Sequence, residues 1–325
     1  MKKNIGIAMG GYSSEYQISL KSGQVVCDHL NTELYRVFPL HILKDKWVCV
    51  LAGKEYPINK GNFTVEIDNE LIVFDCIFNA IHGTPGEDGH LQGYLAMLNI
   101  PHTSCPMYQA ALTFNKRDLL AALKPFGIKS ATSFYLNKGQ VIDTRLISKK
   151  VGLPCFVKAN KAGSSFGVSK VYKEEDLKKA IEISFKEDDE IIIESFLDGT
   201  EVSVGVIRYQ GKVTVLPITE IVSENDFFDY QAKYEGKSQE ITPARISEQM
   251  TDTISSIAKN IYEILKMEGF SRSEFIIVDG EPSLLEMNTI PGLTTESILP
   301  QQAAKAGISL NDLFDNAVEE ALKMN

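Results

Sequence analysis

The feature that most restricts this chain is a unit of short apolar strand, glycine-rich loop and helix that occurs twice near the N-terminus. Ile5 to Met9 runs into Gly10-Gly11-Tyr12-Ser13-Ser14, and a helix follows to about Leu30. The second unit begins at Phe74, with apolar Cys76 to Ile81, then His82-Gly83-Thr84-Pro85-Gly86-Glu87-Asp88-Gly89, then a helix through Met97. Repetition of this unit predicts an open parallel α/β sheet, because parallel neighbours need a crossover connection. Ligands bind such sheets beyond the carboxyl ends of the strands, which is where both loops fall.

The pattern changes after about residue 104. Leu112 to Leu123 reads as a helix, Ala159 to Ser169 as a Gly/Ser loop between strands, Glu174 to Phe185 as a helix and Glu190 to Glu194 as a strand. This mixture predicts a small α+β lobe over residues 105–193, after an α/β domain over 1–104. Longer strands then follow at Glu201 to Tyr209, Val213 to Ile221, Phe275 to Val278 and Ser283 to Met287, with helices at Glu248 to Met267 and Leu310 to Lys323. They predict a third domain over 194–325, and 325 residues suffice for three. Ser223 to Ala244 has no clean period and is long for a loop inside a domain, as functional lids are.

A net charge of -10 disfavours nucleic acid, which needs a basic stripe. Cys27, Cys49, Cys76, Cys105 and Cys155 are scattered and form no CxxC pair, as expected of free thiols in a reducing compartment. No stretch approaches the roughly 20 apolar residues of a membrane span. Met1-Lys2-Lys3-Asn4 leads into only five residues, Ile5 to Met9, before Gly10-Gly11, too few for a signal-peptide core, so a cytoplasmic location is expected.

Asp279-Gly280 separates Arg272-Ser-Glu274-Phe-Ile-Ile-Val278 from Ser283-Leu-Leu-Glu286-Met-Asn288, a strong hairpin signal. Centred on Gly280, the hairpin places Glu274 opposite Glu286 and Arg272 opposite Asn288, all on one face. Phe275, Ile277, Leu285 and Met287 then face a core. Opposed carboxylates repel, and a divalent cation with phosphate and water ligands removes that cost. A solvated glutamate pair with Arg272 as counterion is the competing reading.

Two further segments carry possible nucleotide contacts. Lys158 stands at a strand end before Gly163-Ser164-Ser165, where backbone N–H groups can approach an anion, although no Walker A pattern occurs. A plain hairpin loop with a surface lysine fits the same residues. Glu194-Ser-Phe196-Leu197 leads from a strand into a connector whose free backbone groups can read an adenine edge, and Glu201 can accept ribose hydroxyls.

In order along nearly the whole chain, these segments resemble the D-alanine–D-alanine ligases, a branch of the ATP-grasp superfamily. The matching motifs are Gly10-Gly-Tyr-Ser-Ser-Glu15, His82-Gly with Gly86-Glu-Asp-Gly89, Asn115-Lys116, Val157-Lys158 with Gly163-Ser-Ser, Lys233-Tyr234, and Leu285-Glu286-Met-Asn288-Thr-Ile-Pro291-Gly292 with Ser297. The resemblance implies an N-terminal α/β domain followed by a two-lobe ATP-grasp fold, with ATP between the lobes. It implies that Lys116, Lys158 and Lys233 contact phosphates, that Glu194, Phe196 and Leu197 frame adenine and that Glu201 holds ribose. Glu274, Glu286 and Asn288 would hold two Mg²⁺ or Mn²⁺ ions. Many family members have Asp where this chain has Glu274, and the longer side chain alters the reach to the metal.

For the reacting groups, the resemblance assigns Arg272 and the Gly292 N–H to the tetrahedral oxygen. It assigns Glu15 and His82 to the first D-alanine, and Ser297 with Ile298 to the second. Glu15, Ser164 and Tyr234 would form a set that closes the lid. The implied reaction joins two D-alanines through an acyl phosphate for peptidoglycan precursors, in a homodimer. Rivals are another carboxylate–amine or D-lactate ligase, a nucleotide-binding protein without chemistry, and a nicotinamide dehydrogenase. The last lacks GxGxxG after Met9.

Overall fold

The computed structural model describes residues 2–163, 167–223 and 238–323. Strand β1 (Lys3–Gly10) runs parallel to β2 (Tyr35–Ile42) on one side and to β7 (Cys76–Asn79) on the other, with helix α1 (Tyr16–His29) after β1. The sheet continues antiparallel from β2 through β3 (Trp47–Leu51), β4 (Lys54–Asn59), β5 (Thr64–Ile67) and β6 (Glu70–Ile72). The expected parallel sheet is therefore parallel only at β2-β1-β7. The short turns joining β2 to β6 leave no room for crossover helices and impose antiparallel pairing. Helix α2 (His90–Met97) follows the second glycine loop.

Residues 112–123 do not form one helix. They belong to α3 (Met107–Phe114) and α4 (Lys116–Leu123), separated at Asn115. Asn115 has extended backbone, and its Oδ1 accepts the Asp118 N–H at 3.0 Å, so its side chain starts a new helix. A four-stranded antiparallel sheet follows, ordered β10-β9-β11-β8, from β8 (Ser133–Asn137), β9 (Cys155–Ala159), β10 (Ser169–Val171) and β11 (Glu190–Ser195). Helices α5 (Thr144–Val151) and α6 (Leu177–Ser184) cover it, and Ile147, Leu177 and Ile181 fill a separate core with Val157, Ile191 and Ile193.

The last sheet contains β12 (Thr200–Tyr209), β13 (Lys212–Val215), β14 (Thr219–Ser223), β15 (Ser238–Ile241), β16 (Phe270–Val278) and β17 (Glu281–Asn288). The strand expected over 213–221 is two strands, broken where Pro217 has no N–H to pair and Leu216 N–H turns to the Gly205 carbonyl. Helices α7 (Glu248–Ile264), α8 (Ile298–Lys305) and α9 (Leu310–Lys323) complete the chain. α3 and α4, grouped with the central lobe from sequence, pack instead on this sheet: Ala110, Leu119 and Leu123 share a core with Val204, Phe275 and Ile261. On the opposite side, Phe314 of α9 joins Ile5, Ile7 and Phe78 of the first sheet in one continuous core with Ile207 and Phe270. No helix of the described residues is long and apolar enough to cross a membrane.

Candidate active site

The β16–β17 hairpin places Glu274 opposite Glu286 and Arg272 opposite Asn288, as the turn signal requires. Nearer the turn the register shifts by one, so that Phe275 faces Leu284 and Leu285 is the extra residue of a bulge. Leu284, not Leu285, is therefore the fully buried partner of Phe275 and Met287.

The opposed carboxylates are both ion-paired. The Nη1 of Arg272 donates to Glu274 Oε1 and, at 3.0 Å, to Ser203 Oγ. The Nζ of Lys116, first residue of α4, lies 3.0 Å from Glu286 Oε2 and also donates to the Ala162 carbonyl at 2.8 Å. Burial by itself would lower the Arg272 pKa, but Glu274, Glu286 and Glu240 outweigh it and hold the guanidinium above its ordinary value. Asn288 Oδ1 accepts the Ile290 N–H at 2.9 Å. Among the described residues no three His, Cys, Asp or Glu gather as a metal cluster. Two carboxylates and an amide nonetheless fit a hard divalent cation that takes its remaining oxygens from phosphate and water.

Lys158 on β9 donates to Glu194 Oε2 of β11 at 2.9 Å. Burial lowers the pKa of that ammonium, but Glu194, Glu286 and Glu201 more than offset it. Glu194 is 2% exposed, and its other oxygen, Oε1, has no hydrogen-bond partner among the described residues. A buried acceptor left open in this way costs free energy until a donor arrives, so the pocket fits a ligand with an N–H edge. Phe196 follows β11; its ring lies 6.2 Å from Phe156, and Lys170 Nζ sits 4.1 Å from its centroid. Leu197 and Glu201 are half-buried.

The N-terminal domain supplies the opposite wall. Glu15 precedes α1, yet its side chain does not cap that helix. It is buried, and a Cβ at Gly163 would stand 2.6 Å and 2.8 Å from its carboxylate oxygens. Only glycine permits this approach between the N-terminal domain and the central lobe. Beside the contact lies a cavity of about 600 Å³ with Tyr12, Glu15, Gly83 and Gly163 in its wall. His82 is buried with Nε2 3.0 Å from Ser22 Oγ, which accepts the Leu293 N–H at 3.3 Å; burial holds the imidazole pKa below its ordinary value.

Gly292 packs against Ser297, whose Oγ lies 2.8 Å from Thr294 Oγ1. Ser297 is the N-cap position of α8, Ile298 is its first residue, and no side chain caps the helix, an arrangement suited to an anion. Ser164, Lys233 and Tyr234 lie outside the described residues, as does the expected lid apart from Ser223 and residues 238–244; of these, Ser238–Ile241 is strand β15.

Glu87 was not singled out from the sequence. It is buried, its Oε2 accepts the Gly83 N–H at 2.6 Å, and burial followed by the charge of Glu15 pushes its carboxyl up to about 8. The available signal was the HGxxGE spacing, which turns this side chain back onto its own loop.

A cleft between a four-stranded lobe and a six-stranded sheet, floored by opposed carboxylates and ringed by lysines, defines an ATP-grasp ligase. The chain belongs to the D-alanine–D-alanine ligase family: residues 4–105 match the D-ala D-ala ligase N-terminus and residues 123–319 the D-ala D-ala ligase C-terminus. It is 67% identical over 321 residues to a D-alanine–D-alanine ligase of Flavobacterium johnsoniae, covering 98% of this chain and 99% of that one. It is 62% identical over 323 residues to the ligase of Christiangramia forsetii, covering 99% of each. Among solved structures, the D-alanyl-alanine synthetase A of Vibrio cholerae superposes with a TM-score of 0.89 at 26% identity, covering 99% of both chains. A D-alanine–D-alanine ligase of Bacillus anthracis complexed with ATP gives 0.80 at 27% identity, covering 99% of this chain and 98% of that one.

Proposed function

We propose that the protein joins two D-alanine molecules into D-alanyl-D-alanine, consuming ATP and releasing ADP and phosphate, for peptidoglycan synthesis. The observation that carries this reading is the convergence of Arg272, Lys116 and Lys158 on the carboxylates Glu274, Glu286 and Glu194 in one cleft. These cations are held in place before any substrate arrives, as electrostatic catalysis requires.

In this reading a carboxylate oxygen of the first D-alanine attacks the γ-phosphorus of ATP, and ADP leaves. The nitrogen of the second D-alanine, having lost its ammonium proton, attacks the acyl carbon, and phosphate leaves. Glu15 holds the first substrate's ammonium beside Gly163, with His82 bordering its carboxylate. Lys116 and Lys158 hold phosphate oxygens. Glu194 Oε1 accepts the adenine amino group, Phe196 and Leu197 flank the ring, and Glu201 holds the ribose. Arg272 and the Gly292 N–H neutralise the tetrahedral oxygen, while Ser297 and the Ile298 N–H hold the second carboxylate. Glu274, Glu286 and Asn288 would hold Mg²⁺ or Mn²⁺. Bound there, such ions neutralise phosphate charge and fix the geometry of transfer. Lys233, Ser164 and Tyr234 are assigned to the closing lid, and a homodimer is the expected assembly, testable by sedimentation.

The deciding experiment measures phosphate release from ATP with D-alanine, with L-alanine as control. D-alanine-dependent release that EDTA abolishes and Mg²⁺ or Mn²⁺ restores is expected. Turnover equal with and without D-alanine would refute the reading.

A further inference from the structure

Among the described residues, Arg272 is gripped at one end. Its Nη1 makes both of the guanidinium's hydrogen bonds to described residues, one to Glu274 Oε1 and one to Ser203 Oγ. Among the described residues, the N–H groups of Nη2 and Nε donate to no partner. The two anchors differ in kind. Glu274 is a charged group opposite Glu286, which any cation in the cleft would draw away. Ser203 is a neutral hydroxyl, fully buried on β12 and directly opposite Glu274 in the β12–β16 pairing. A hydroxyl can hold the guanidinium without cancelling its charge.

Ser203 also has a second attachment. Its carbonyl accepts Nε2 of Gln302 at 2.8 Å, and the same nitrogen lies 3.0 Å from Thr219 Oγ1. Gln302 is completely buried on α8, and the N-terminal end of that helix presents Ser297 and Ile298. One residue thus links the guanidinium to the helix on which the acceptor's carboxylate is placed. Gly205, two residues further along β12, faces Arg272 across the strands and leaves room for Gln302: a Cβ there would stand 2.6 Å from Gln302 Oε1.

We propose that Ser203 is a positioning residue: its hydroxyl keeps the Arg272 guanidinium aimed at the tetrahedral oxygen, and its carbonyl sets the spacing between that guanidinium and the acceptor end of α8. The proposal rests on the ligase reading above. Removing the hydroxyl leaves Arg272 tethered, among the described residues, through Glu274. The loss should fall on the step in which charge collects on the tetrahedral oxygen, not on nucleotide binding.

The test compares Ser203→Ala and Ser203→Thr with the unaltered enzyme. A hydrogen bond to a charged group typically contributes about 1.5–3 kcal/mol, a factor of roughly 10–100. Ser203→Ala should lower kcat for dipeptide formation about 10-fold or more, with KM for ATP unchanged, while Ser203→Thr restores most of it. With a non-hydrolysable ATP analogue present, Ser203→Ala should weaken binding of a tetrahedral phosphinate dipeptide analogue about 10-fold and leave binding of the ATP analogue itself unchanged. Near-normal turnover in Ser203→Ala overturns the proposal. So does an equal loss in Ser203→Thr, or a parallel loss of nucleotide binding, either of which marks Ser203 as packing alone. If the unaltered enzyme makes no dipeptide, it is the ligase reading that fails.

Discussion

At the scale of single residues, carboxyl groups in and around this cleft differ sharply in surroundings. Glu286 is paired with Lys116 and faces Glu274. Glu286→Gln keeps the shape and removes the charge, so kcat should fall by about 10²–10³ while the melting temperature changes little. Steady-state kinetics beside a thermal melt checks this, and near-normal turnover would show that the carboxylate is no ligand. Glu87 sits in the opposite regime. Its carboxyl keeps its proton up to about pH 8 in the folded protein, against an ordinary value of 4.5 when unfolded. Between those values the folded state binds more protons than the unfolded state, so this residue makes stability fall as pH rises through the window and has no further effect below or above it. Glu87→Gln should remove that slope. Its melting temperature should gain on the unaltered protein from about pH 5 to pH 8 and hold a constant lead beyond. Parallel curves across this range would refute the assignment.

At the scale of elements, the break between α3 and α4 places a lysine. Asn115 caps α4 through Asp118 N–H, and its Oδ1 also accepts Asn160 Nδ2 at 2.7 Å, from just beyond the strand that carries Lys158. Asn115→Ala should cost about 0.5–2 kcal/mol, as N-cap losses do, and raise KM for ATP, because the next residue is Lys116. Denaturant melts and ATP titration measure the two effects. The β16–β17 hairpin shows how far the sequence could be read. Asp279-Gly280 and strict alternation located the turn and the pairs Arg272–Asn288 and Glu274–Glu286. The bulge was hidden because Leu284 and Leu285 are equally apolar, so the pattern does not tell which one faces inward. Adjacent apolar residues in an otherwise alternating strand are the trace such a bulge leaves. Ser203 and Gln302 were illegible for another reason: a serine in an apolar strand and a glutamine in a helix gain meaning only from what tertiary packing sets beside them.

At the scale of the whole molecule, three sheets converge on one cleft, but the cores do not follow the order of the chain. The four-stranded lobe has its own core, and so has one face of the first sheet, where Phe38, Phe63 and Leu91 pack together, but α9 completes the core on the sheet's other face. Phe314 meets Phe78 edge to face at 5.6 Å, Asp315 Oδ1 accepts the Asn31 N–H at 3.0 Å and Asn311 Nδ2 donates to the His29 carbonyl at 2.7 Å. A fragment of residues 1–104 should therefore melt at a lower temperature than the whole protein, and adding residues 105–325 in trans should raise it. Circular dichroism melts of the separate and mixed fragments decide this; a first fragment as stable alone as in the mixture would refute it.

The shared core also has a consequence for how the chain is made. Ribosomal synthesis delivers Ile5, Ile7 and Phe78 early and Phe314 late. At about 5–20 residues per second, the gap between the two phenylalanines is on the order of ten seconds or longer. Throughout that interval α1 covers this face of the first sheet only in part, and the patch that α9 will cover stays open to chaperones and neighbouring nascent chains. The N-terminal region can therefore close the core on one face of its sheet as it emerges, but the core on the other face is completed only when the helix carrying Phe314 has been made.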